Sequence, residues 1–436
     1  MANLFTLTDG TTTVSLNAGS YLSTSYKMAT VDERNTSSVT ETLEITVSGA
    51  NLAAIQTNVR AIETLVEAVK RRTRNQSGPR IYFTAQWDGE AYSWRAEVTD
   101  ARLETTEVPD QFRRSKVDVA LIFTRGPYEG AEVQLTLTNA NGTNNTSGLA
   151  IWNHNDSGTG HDNWVSIDAA EVGGTLPAPV RLQFVSAVND TRAWRKWWIA
   201  CNAYNDPANF PQVIEGEDRI SGYGTISSAA SCSGGQYNLL SVTTYGLMKW
   251  DLSAAAVADC AGYPFRVLIR YNGTPPNYAQ ICVYDSSGLV ELLAGDFTQS
   301  DGYGVQDLGV LRIPPDYYAS GYAALTLVLR CWVTGTTNVA VDYIQLLPAD
   351  TTRMMYQRGM AHVLGTQNGL DESEGRAYGG TPTTGQPVYV LKGNPLMLAP
   401  GKLQRLYLLV TNSTGGSDIA DNWTLQAWYR PRRWSI

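Results

Sequence analysis

The sequence predicts a mainly β protein, with an N-terminal β-sandwich or sheet that packs against one α-helix, followed by β-sandwich domains of the jelly-roll type. Three observations predict this class. Short segments that alternate apolar and polar residues recur along the 436 residues. Clusters of Gly, Ser, Asn and Asp separate these segments, as turns separate strands. One stretch, residues 52–69, instead repeats apolar residues every three or four positions, as an amphipathic helix does.

The first 128 residues predict strands on both sides of this helix. Residues 5–16 contain two short alternating segments around Asp9-Gly10, which is typical of a β-hairpin. Residues 39–47 alternate cleanly and predict a half-buried strand. The helix is expected within residues 48–74, with Ser48 or Asn51 as its N-cap and basic residues at its end. Further strands are expected at 81–87, 91–99 and 117–123.

Two segments of this region have no clear period. Residues 21–35 are polar and irregular, and they predict either an arm that ties neighbouring subunits together or a simple exposed loop. Residues 101–116 predict a long excursion between two strands.

The remainder of the chain predicts two further β domains. From residue 213 onward, turns and strands alternate about every ten residues, which is the pattern of a sandwich. Residues 132–210 and 351–436 each contain few strands for a free-standing domain. We therefore expect 129–210 and 350–436 to form one β-sandwich domain, into which residues 211–349 are inserted.

An unusual run of tryptophans lies in the first half of this sandwich. Trp194, Trp197 and Trp198 are interleaved with Arg192, Arg195 and Lys196. Alternating aromatic and cationic residues can stack on bases or sugars. The same pattern also arises where a strand faces a core and long cationic side chains cover it, and this interpretation is favoured.

Charge and composition narrow the function classes. The formal net charge is −8, which argues against a nucleic-acid-binding surface because such a surface needs a basic face. The basic run at 430–433 is expected to be a solvated tail or a subunit-contact salt bridge. No apolar run approaches the ~20 residues of a membrane helix, and the polar first 16 residues predict no secretory signal. The five cysteines are expected to be reduced and buried, with a Cys232–Cys260 pair left open.

Few residues are spaced for chemistry. His154, His161 and Asp162 lie in one loop and predict either a metal site or ordinary turn structure, the latter being favoured. Glu215, Glu217, Asp218 and Asp342 are candidates for a hydrolytic carboxylate pair, for Ca²⁺ ligands or for plain surface residues. Since spacing does not place two carboxylates across a cleft, we expect no enzymatic activity.

Residues 1–128 resemble the N-terminal belt domain of siphophage distal tail proteins and the related tail-tube fold. The strand at 39–47, the helix at 52–69, and the segments 81–87 and 117–127 carry this resemblance. It implies a structural virion protein of a long-tailed bacteriophage, located in the tail and assembled in the host cytoplasm. The protein would form a hexameric ring or a stacked tube around the DNA channel, with outward β-sandwich decorations, and would contact other phage tail proteins.

The same resemblance assigns assembly to six apolar residues of two strands: Leu43, Ile45, Val47, Val119, Leu121 and Phe123. An acidic chain suits a channel of this kind, because a repelling wall lets DNA slide.

Residues 213–349 resemble a galactose-binding-type jelly roll of the carbohydrate-binding-module class. The opening segment 213–218 and the closing segment 339–348 carry this resemblance. It implies a structural Ca²⁺ held by Glu215, Glu217 and Asp342. It also implies aromatic residues that stack on a ligand, for which Tyr223, Tyr237, Tyr303 and Trp332 are candidates. The alternative function is therefore an adhesin-like tail protein whose jelly roll recognises host-surface glycans.

Overall fold

The computed structural model shows a chain of two compact units. It describes residues 4–29, 37–75, 77–105, 115–152, 162–187, 194–202, 213–230, 232–254, 256–257, 261–302, 304–314, 324–358, 365, 367–379, 386–412 and 422–435. Unit 1 comprises residues 1–133, 173–177 and 430–436, and unit 2 comprises 134–172 and 178–429. The expected mainly β class with one packed helix is confirmed.

Unit 1 contains eight of the described strands before the chain enters unit 2, together with the helix. They are β1 (Leu4–Thr8), β2 (Thr13–Ser15), β3 (Tyr21–Lys27), β4 (Val39–Ser48), α1 (Leu52–Asn75), β5 (Tyr82–Gln86), β6 (Trp94–Thr105), β7 (Lys116–Arg125) and β8 (Tyr128–Glu129).

The helix α1 forms where its capping and its apolar spacing both predict it. The Asn51 side chain accepts a 2.9 Å hydrogen bond from the Ala54 amide, which satisfies one of the first free helix donors. The buried side chains recur at three- and four-residue steps on one face: Ile55, Ile62, Leu65, Val66 and Val69. This face packs on β6 and β4, so the helix is held by core burial.

The strands of unit 1 form two groups, and β6 belongs to both. A bulge between Val98 and Asp100 divides β6 into two halves. Its first half pairs with β5, in the order β2-β1-β5-β6, and its second half pairs with β7, in the order β3-β4-β7-β6. We call the latter group of strands the β3–β6 sheet. A core of alternating residues from both groups fills the space between them and α1.

Unit 2 begins with strands of a β-sandwich that we call the outer sandwich. Its strands lie within residues 133–202 and 352–429. Those in the first range are β9 (Val133–Gln134, which starts one residue earlier), β10 (Leu137–Thr138), β11 (Asn144–Asn145), β12 (Leu149–Trp152), β13 (Trp164–Ile167), β14 (Ala178–Ser186) and β15 (Trp194–Asn202).

The chain then forms a β-sandwich of two antiparallel sheets over residues 213–348, which we call the jelly roll after the sequence-based expectation. Its strands are β16 (Val213–Glu215), β17 (Thr225–Ser228), β18 (Gln236–Val242), β19 (Tyr245–Leu252), β20 (Pro264–Tyr271), β21 (Tyr278–Asp285), β22 (Glu291–Ala294), β23 (Thr298–Gln299), β24 (Val305–Arg312), β25 (Leu325–Trp332) and β26 (Thr337–Pro348).

The last strands return to the outer sandwich and then to unit 1. They are β27 (Thr352–Arg358), β28 (Gln367–Asp371), β29 (Arg376–Gly379), β30 (Gln386–Gly393), β31 (Met397–Leu398), β32 (Gln404–Asn412), β33 (Asn422–Tyr429) and β34 (Arg432–Arg433).

The outer sandwich is a single sheet that folds over itself at β30. The first half of β30 pairs with β29, and the second half pairs with β27. One half of the sheet follows the order β13-β32-β15-β27, the other follows β28-β14-β33-β12, and their facing sides enclose one hydrophobic core. These strands come from both sides of the jelly roll in the sequence.

The jelly roll consists of two sheets around its own core. One sheet has the order β17-β18-β26-β20-β24 and the other has the order β19-β25-β21-β22. The outer side of the first sheet packs on the outer side of the β13-β32-β15-β27 layer, through a third cluster that includes Trp198, Tyr343, Tyr407 and Leu409. Unit 2 is therefore a stack of four β layers, and central strands of its two middle layers, such as β26 and β20, are buried on both faces.

Three sequence-based expectations differ from the structure. Tyr21–Lys27 is the strand β3, although its polar pattern predicts a loop, because β3 lies at a sheet edge and half of its side chains face water. Ala101–Thr105 continues β6 after the bulge, and residues 106–114 lie outside the described part. The basic run at 430–433 is not a solvated tail, because β34 pairs with β8 and Arg433 lies 3.4 Å from Glu90.

The described cysteines Cys201, Cys232, Cys282 and Cys331 are buried, and Cys260 lies outside the described residues. No helix among the described residues is long and apolar enough to cross a membrane.

Candidate functional site

The six residues assigned to assembly lie in the core of unit 1. Leu43, Ile45 and Val47 of β4, and Val119, Leu121 and Phe123 of β7, are each at most 1% exposed. The two strands pair in register, with Leu43 opposite Leu121 and Ile45 opposite Val119. Since these side chains face inward, they stabilise the sheet itself, and any contact with another copy must use other residues.

The β3–β6 sheet offers two such places at its ends. Among the described residues, β3 pairs only with β4, and residues 101–105 of β6 pair only with β7. Each end strand therefore has one side without a strand neighbour. Two polar side chains cover part of these edges, because the Ser23 amide donates to Asn17 Oδ1 at 3.1 Å and the Ala101 amide donates to Asp100 Oδ1 at 2.9 Å.

The face of the β3–β6 sheet that points away from the core is polar. Thr40 and Thr124 share a 2.8 Å hydrogen bond, and Thr46 donates to Asp118 at 2.5 Å. Glu44 is paired with Lys27 at 3.1 Å. Arg102 is likewise paired with Glu104 at 2.9 Å, so hydroxyl groups and paired charges of both signs occupy this surface.

The three acidic residues of the jelly roll converge on one tight turn, Ser233–Gly235. The Ser233 hydroxyl donates to Glu215 Oε1 at 3.0 Å, and the Ser233 amide donates to Asp342 Oδ1 at 2.8 Å. A Cβ atom placed on Gly234 would lie 2.8 Å from Glu217 Oε1, so this carboxylate lies directly over the turn.

The three acids differ in how they are satisfied. Asp342 is fully buried, and its second oxygen pairs with the guanidinium of Arg270, which is 3% exposed. Glu215 Oε2 and Glu217 Oε2 are buried and have no hydrogen-bond partner among the described residues. Burial, followed by the nearby charge of Glu217, raises the pKa of Glu215 to about 8, and Asp162 adds to this effect. Burial also raises the pKa of Glu217.

This arrangement fits Ca²⁺ in part. Ca²⁺ takes about six to eight oxygen ligands, many of them carboxylates. The open oxygens of Glu215 and Glu217 suit it, whereas Asp342 is already engaged. In the described part of the chain, no group of three or more His, Cys, Asp or Glu side chains is arranged to hold a metal ion. His154 and His161 lie outside the described residues.

The structure separates the four candidate aromatic residues. Tyr223 covers a buried lysine, with Lys249 Nζ 4.5 Å from its ring centroid. Tyr237 is half-buried in β18, opposite Ser227 of β17. Tyr303 lies outside the described residues. Among the described three, Trp332 alone joins a group of exposed and partly exposed rings.

These rings form a cluster on the outer face of the β19-β25-β21 sheet, which we call the aromatic platform: Tyr245, Tyr278, Phe297 and Trp332. Strand register places Tyr245 and Tyr278 on either side of Trp332. The Tyr245 and Phe297 centroids lie 5.2 and 4.7 Å from that of Trp332, and Phe297 stacks on Tyr278 at 4.9 Å. Phe297 is 55% exposed and Tyr245 is 46% exposed.

Polar groups adjoin the platform on the same face. Arg330, two residues before Trp332 on β25, donates to Gln280 Oε1 at 3.2 Å and to the Tyr284 hydroxyl at 2.5 Å. Arg330 also pairs with Glu291. Its charge is therefore compensated by a carboxylate on β22, two strands away across β21.

The sequence analysis identified Trp332 as a candidate but not the other three rings of the platform, Tyr245, Tyr278 and Phe297. The alternation of Leu327, Leu329 and Cys331 inside the core places Trp332 on the outer face, which the sequence could have shown. The pairing of Trp332 with Tyr245 and Tyr278 depends on strand register, which a single sequence does not give.

No family model and no curated protein matches this chain. Among solved structures, the chain is similar to the SPP1 Dit (gp 19.1) protein, described as a paradigm of the hub adsorption apparatus in phages that infect Gram-positive hosts, at 9% identity and a TM-score of 0.31 over 98% of this chain and 99% of that chain. A structure of the phage p2 baseplate in its activated conformation with Sr matches at 10% identity and a TM-score of 0.32, covering 100% of both chains. The exo-β-1,3-galactanase of Phanerochaete chrysosporium matches at 10% identity and a TM-score of 0.21, over 77% of this chain and 84% of that chain. TM-scores this low establish neither a shared fold nor a shared function.

Proposed function

We propose that this chain is a structural protein of a long-tailed bacteriophage, located in the virion tail, in which unit 1 assembles with copies of itself. The observation that carries the proposal is the pair of strand edges, at opposite ends of the β3–β6 sheet, that have no strand neighbour among the described residues. If the β3 edge of one copy pairs with the β6 edge of the next, the contact is head-to-tail, and such contacts close into rings when the rotation permits.

The polar face of the same sheet supports a channel-lining role in this proposal. Its threonine hydroxyls and paired charges, such as Lys27 with Glu44 and Arg102 with Glu104, give DNA phosphates no excess of positive charge to bind. A hexameric ring, or rings stacked as a tube, is the assembly that we propose, with other tail proteins as partners. Unit 2 then forms the decoration of each copy.

Electron microscopy and native mass spectrometry of the purified protein test this function. We expect closed rings or stacked rings with sixfold symmetry at micromolar concentration. A chain that stays solitary at every concentration, and is absent from virion tails, would overturn the proposal.

A second candidate function, glycan recognition by the jelly roll, is favoured by the aromatic platform. Exposed apolar patches rimmed by polar residues are typical of interaction and ligand-binding sites. Trp332 and Phe297 offer ring faces on which the apolar face of a pyranose can stack, and Arg330, Gln280 and Glu291 offer donors and acceptors beside them. Because Arg330 is paired with Glu291, the proposed ligand is an uncharged sugar.

A glycan array tests the second function. We expect binding of neutral host-surface polysaccharides by the full chain. An array without any bound sugar would leave the platform without this role, whereas the assembly proposed for unit 1 would be unaffected.

We also propose that Ca²⁺, held by Glu215 and Glu217, stabilises the jelly roll. The two buried carboxylate oxygens without a hydrogen-bond partner support this, because a cation would compensate the cost of burying them. The metal would supply charge neutralisation at the Ser233–Gly235 turn and no chemistry.

A further inference from the structure

The last segment of unit 1 comes from a distant part of the sequence. Residues 430–435 follow the final strand of unit 2, yet they belong to unit 1. β34 pairs with β8, and the Gly130 amide donates to the Pro431 carbonyl at 2.8 Å. On its other side, the amides of Thr175 and Leu176 donate to the Arg432 carbonyl at 2.9 and 3.1 Å. Main-chain hydrogen bonds therefore hold the segment from two directions.

The segment also closes a buried charge network. Arg125 is 1% exposed and makes two 2.7 Å hydrogen bonds to the Glu41 carboxylate. One nitrogen of the same guanidinium donates to the Trp434 carbonyl at 3.0 Å, across 309 residues of sequence. The Trp434 side chain is 4% exposed. Without the segment, Arg125 would lose an acceptor and its surroundings would open to water.

Neighbouring contacts leave little freedom for the segment. The Arg433 guanidinium stacks 3.6 Å from the Trp94 ring centroid. A Cβ atom on Gly174 would lie 2.7 Å from the Arg432 carbonyl oxygen, so the backbones approach as closely as only glycine permits. The surface of unit 1 around residues 430–435 is thus complementary to this segment.

We propose that residues 430–435 act as a folding lock, which completes unit 1 only after unit 2 has been synthesised. Residues 1–133 emerge first, but Arg125 and Glu41 are buried with all their partners only when Trp434 arrives. Resting on the proposed assembly function, the lock would keep chains with an unfinished unit 2 out of the ring.

Hydrogen exchange of the full chain tests the lock. In Trp434→Ala we expect the amides of β4 and β7 to exchange roughly 100-fold faster, since loss of a buried tryptophan favours local opening. The amides of β20 and β26 in the jelly roll should keep wild-type protection. The matched control is Trp332→Ala, which removes a partly exposed tryptophan from unit 2 and should leave β4 and β7 unchanged.

A milder variant covers the case in which Trp434→Ala yields no folded protein. Trp434→Phe keeps most of the apolar volume, and we expect protection of β4 and β7 between those of wild type and Trp434→Ala. Wild-type protection of β4 and β7 in Trp434→Phe and in any soluble Trp434→Ala, or equal loss in both units, would overturn the lock. A wild-type chain that forms no ring would instead contradict the assembly function, and the exchange result would still stand.

Discussion

Trp197 and Trp198 are adjacent in β15 but pack into two different cores. Trp197, 1% exposed, lies inside the outer sandwich, where its ring centroid is 5.1 Å from the ring centroid of Trp423. Trp198, 2% exposed, lies on the other side of the strand with Tyr343 and Leu347 of the jelly roll. β15 therefore joins the outer sandwich to the jelly roll, and the favoured interpretation of the tryptophan run as core is the one that the structure shows for these two residues.

The two tryptophans should have separable effects. Trp197→Ala should lower the free energy of unfolding by about 3–5 kcal/mol by leaving a cavity inside the outer sandwich. Trp198→Ala should have a similar cost, but it should also raise exchange at β26, because its cavity lies between the two layers. Chemical denaturation with hydrogen exchange measures both. Equal exchange at β26 in the two variants would contradict this assignment.

A charge on the edge of the β3–β6 sheet should weaken assembly. Leu22 is 56% exposed on β3, so Leu22→Asp should leave the fold intact while placing a carboxylate at the proposed contact. We expect fewer rings in electron micrographs and an unchanged melting temperature. Leu289→Asp is the matched control, since Leu289 is 80% exposed on a turn of unit 2. Wild-type ring formation by Leu22→Asp would exclude the β3 edge.

Removing the centre of the aromatic platform should abolish sugar binding. In Trp332→Ala we expect the affinity for any bound neutral glycan to fall roughly tenfold or more, as at other aromatic anchors. Isothermal calorimetry measures this. Tyr92→Ala, at an exposed aromatic residue of unit 1, should bind as wild type does. If Trp332→Ala also retains full affinity, the sugar lies elsewhere.

The raised pKa of Glu215 predicts a pH-dependent stability. Its pKa is about 8 in the folded chain against an ordinary value of 4.5, so the folded chain holds the proton more tightly than the unfolded chain does. In the absence of metal, this contribution is complete below pH 4.5 and is lost as the pH rises to about 8, by up to about 1.4 kcal/mol per pH unit. Denaturation midpoints between pH 5 and 8 measure the slope.

Two comparisons make this prediction specific. Glu215→Gln should flatten the decline with pH, whereas Glu63→Gln, at an exposed position of α1, should not. Added Ca²⁺ should raise the melting temperature at pH 8 in wild type and not in Glu215→Gln. If Ca²⁺ does not change the melting temperature of the wild type, the proposed metal site is excluded. Protonation alone would then account for the buried carboxylates.

The sequence was informative where local physics decides the structure. The hairpin at β1 and β2 formed as predicted, because Asp9 Oδ1 accepts hydrogen bonds from the amides of Thr11 and Thr12 within the turn itself. The same hydrogen bonds lower the pKa of Asp9. The apolar spacing of α1 and its Asn51 cap were likewise readable in one short stretch.

Contacts between distant residues were not readable. The basic run around Arg433 looked solvent-exposed because its partners, Glu90 and Trp94, lie far away in the sequence. The partners of Trp332 in the platform depend on register across three strands. The turn that gathers Glu215, Glu217 and Asp342 contains Ser233, whose role in joining them no spacing rule predicts.

The chain leaves the outer sandwich at the end of β15 and re-enters it at the start of β27, and those strands pair with Ala200 opposite Thr352. A short hairpin turn could therefore replace everything between them, which makes the jelly roll an exchangeable cassette. Any substitute, however, must bring an apolar surface that fits Trp198, Tyr407 and Leu409.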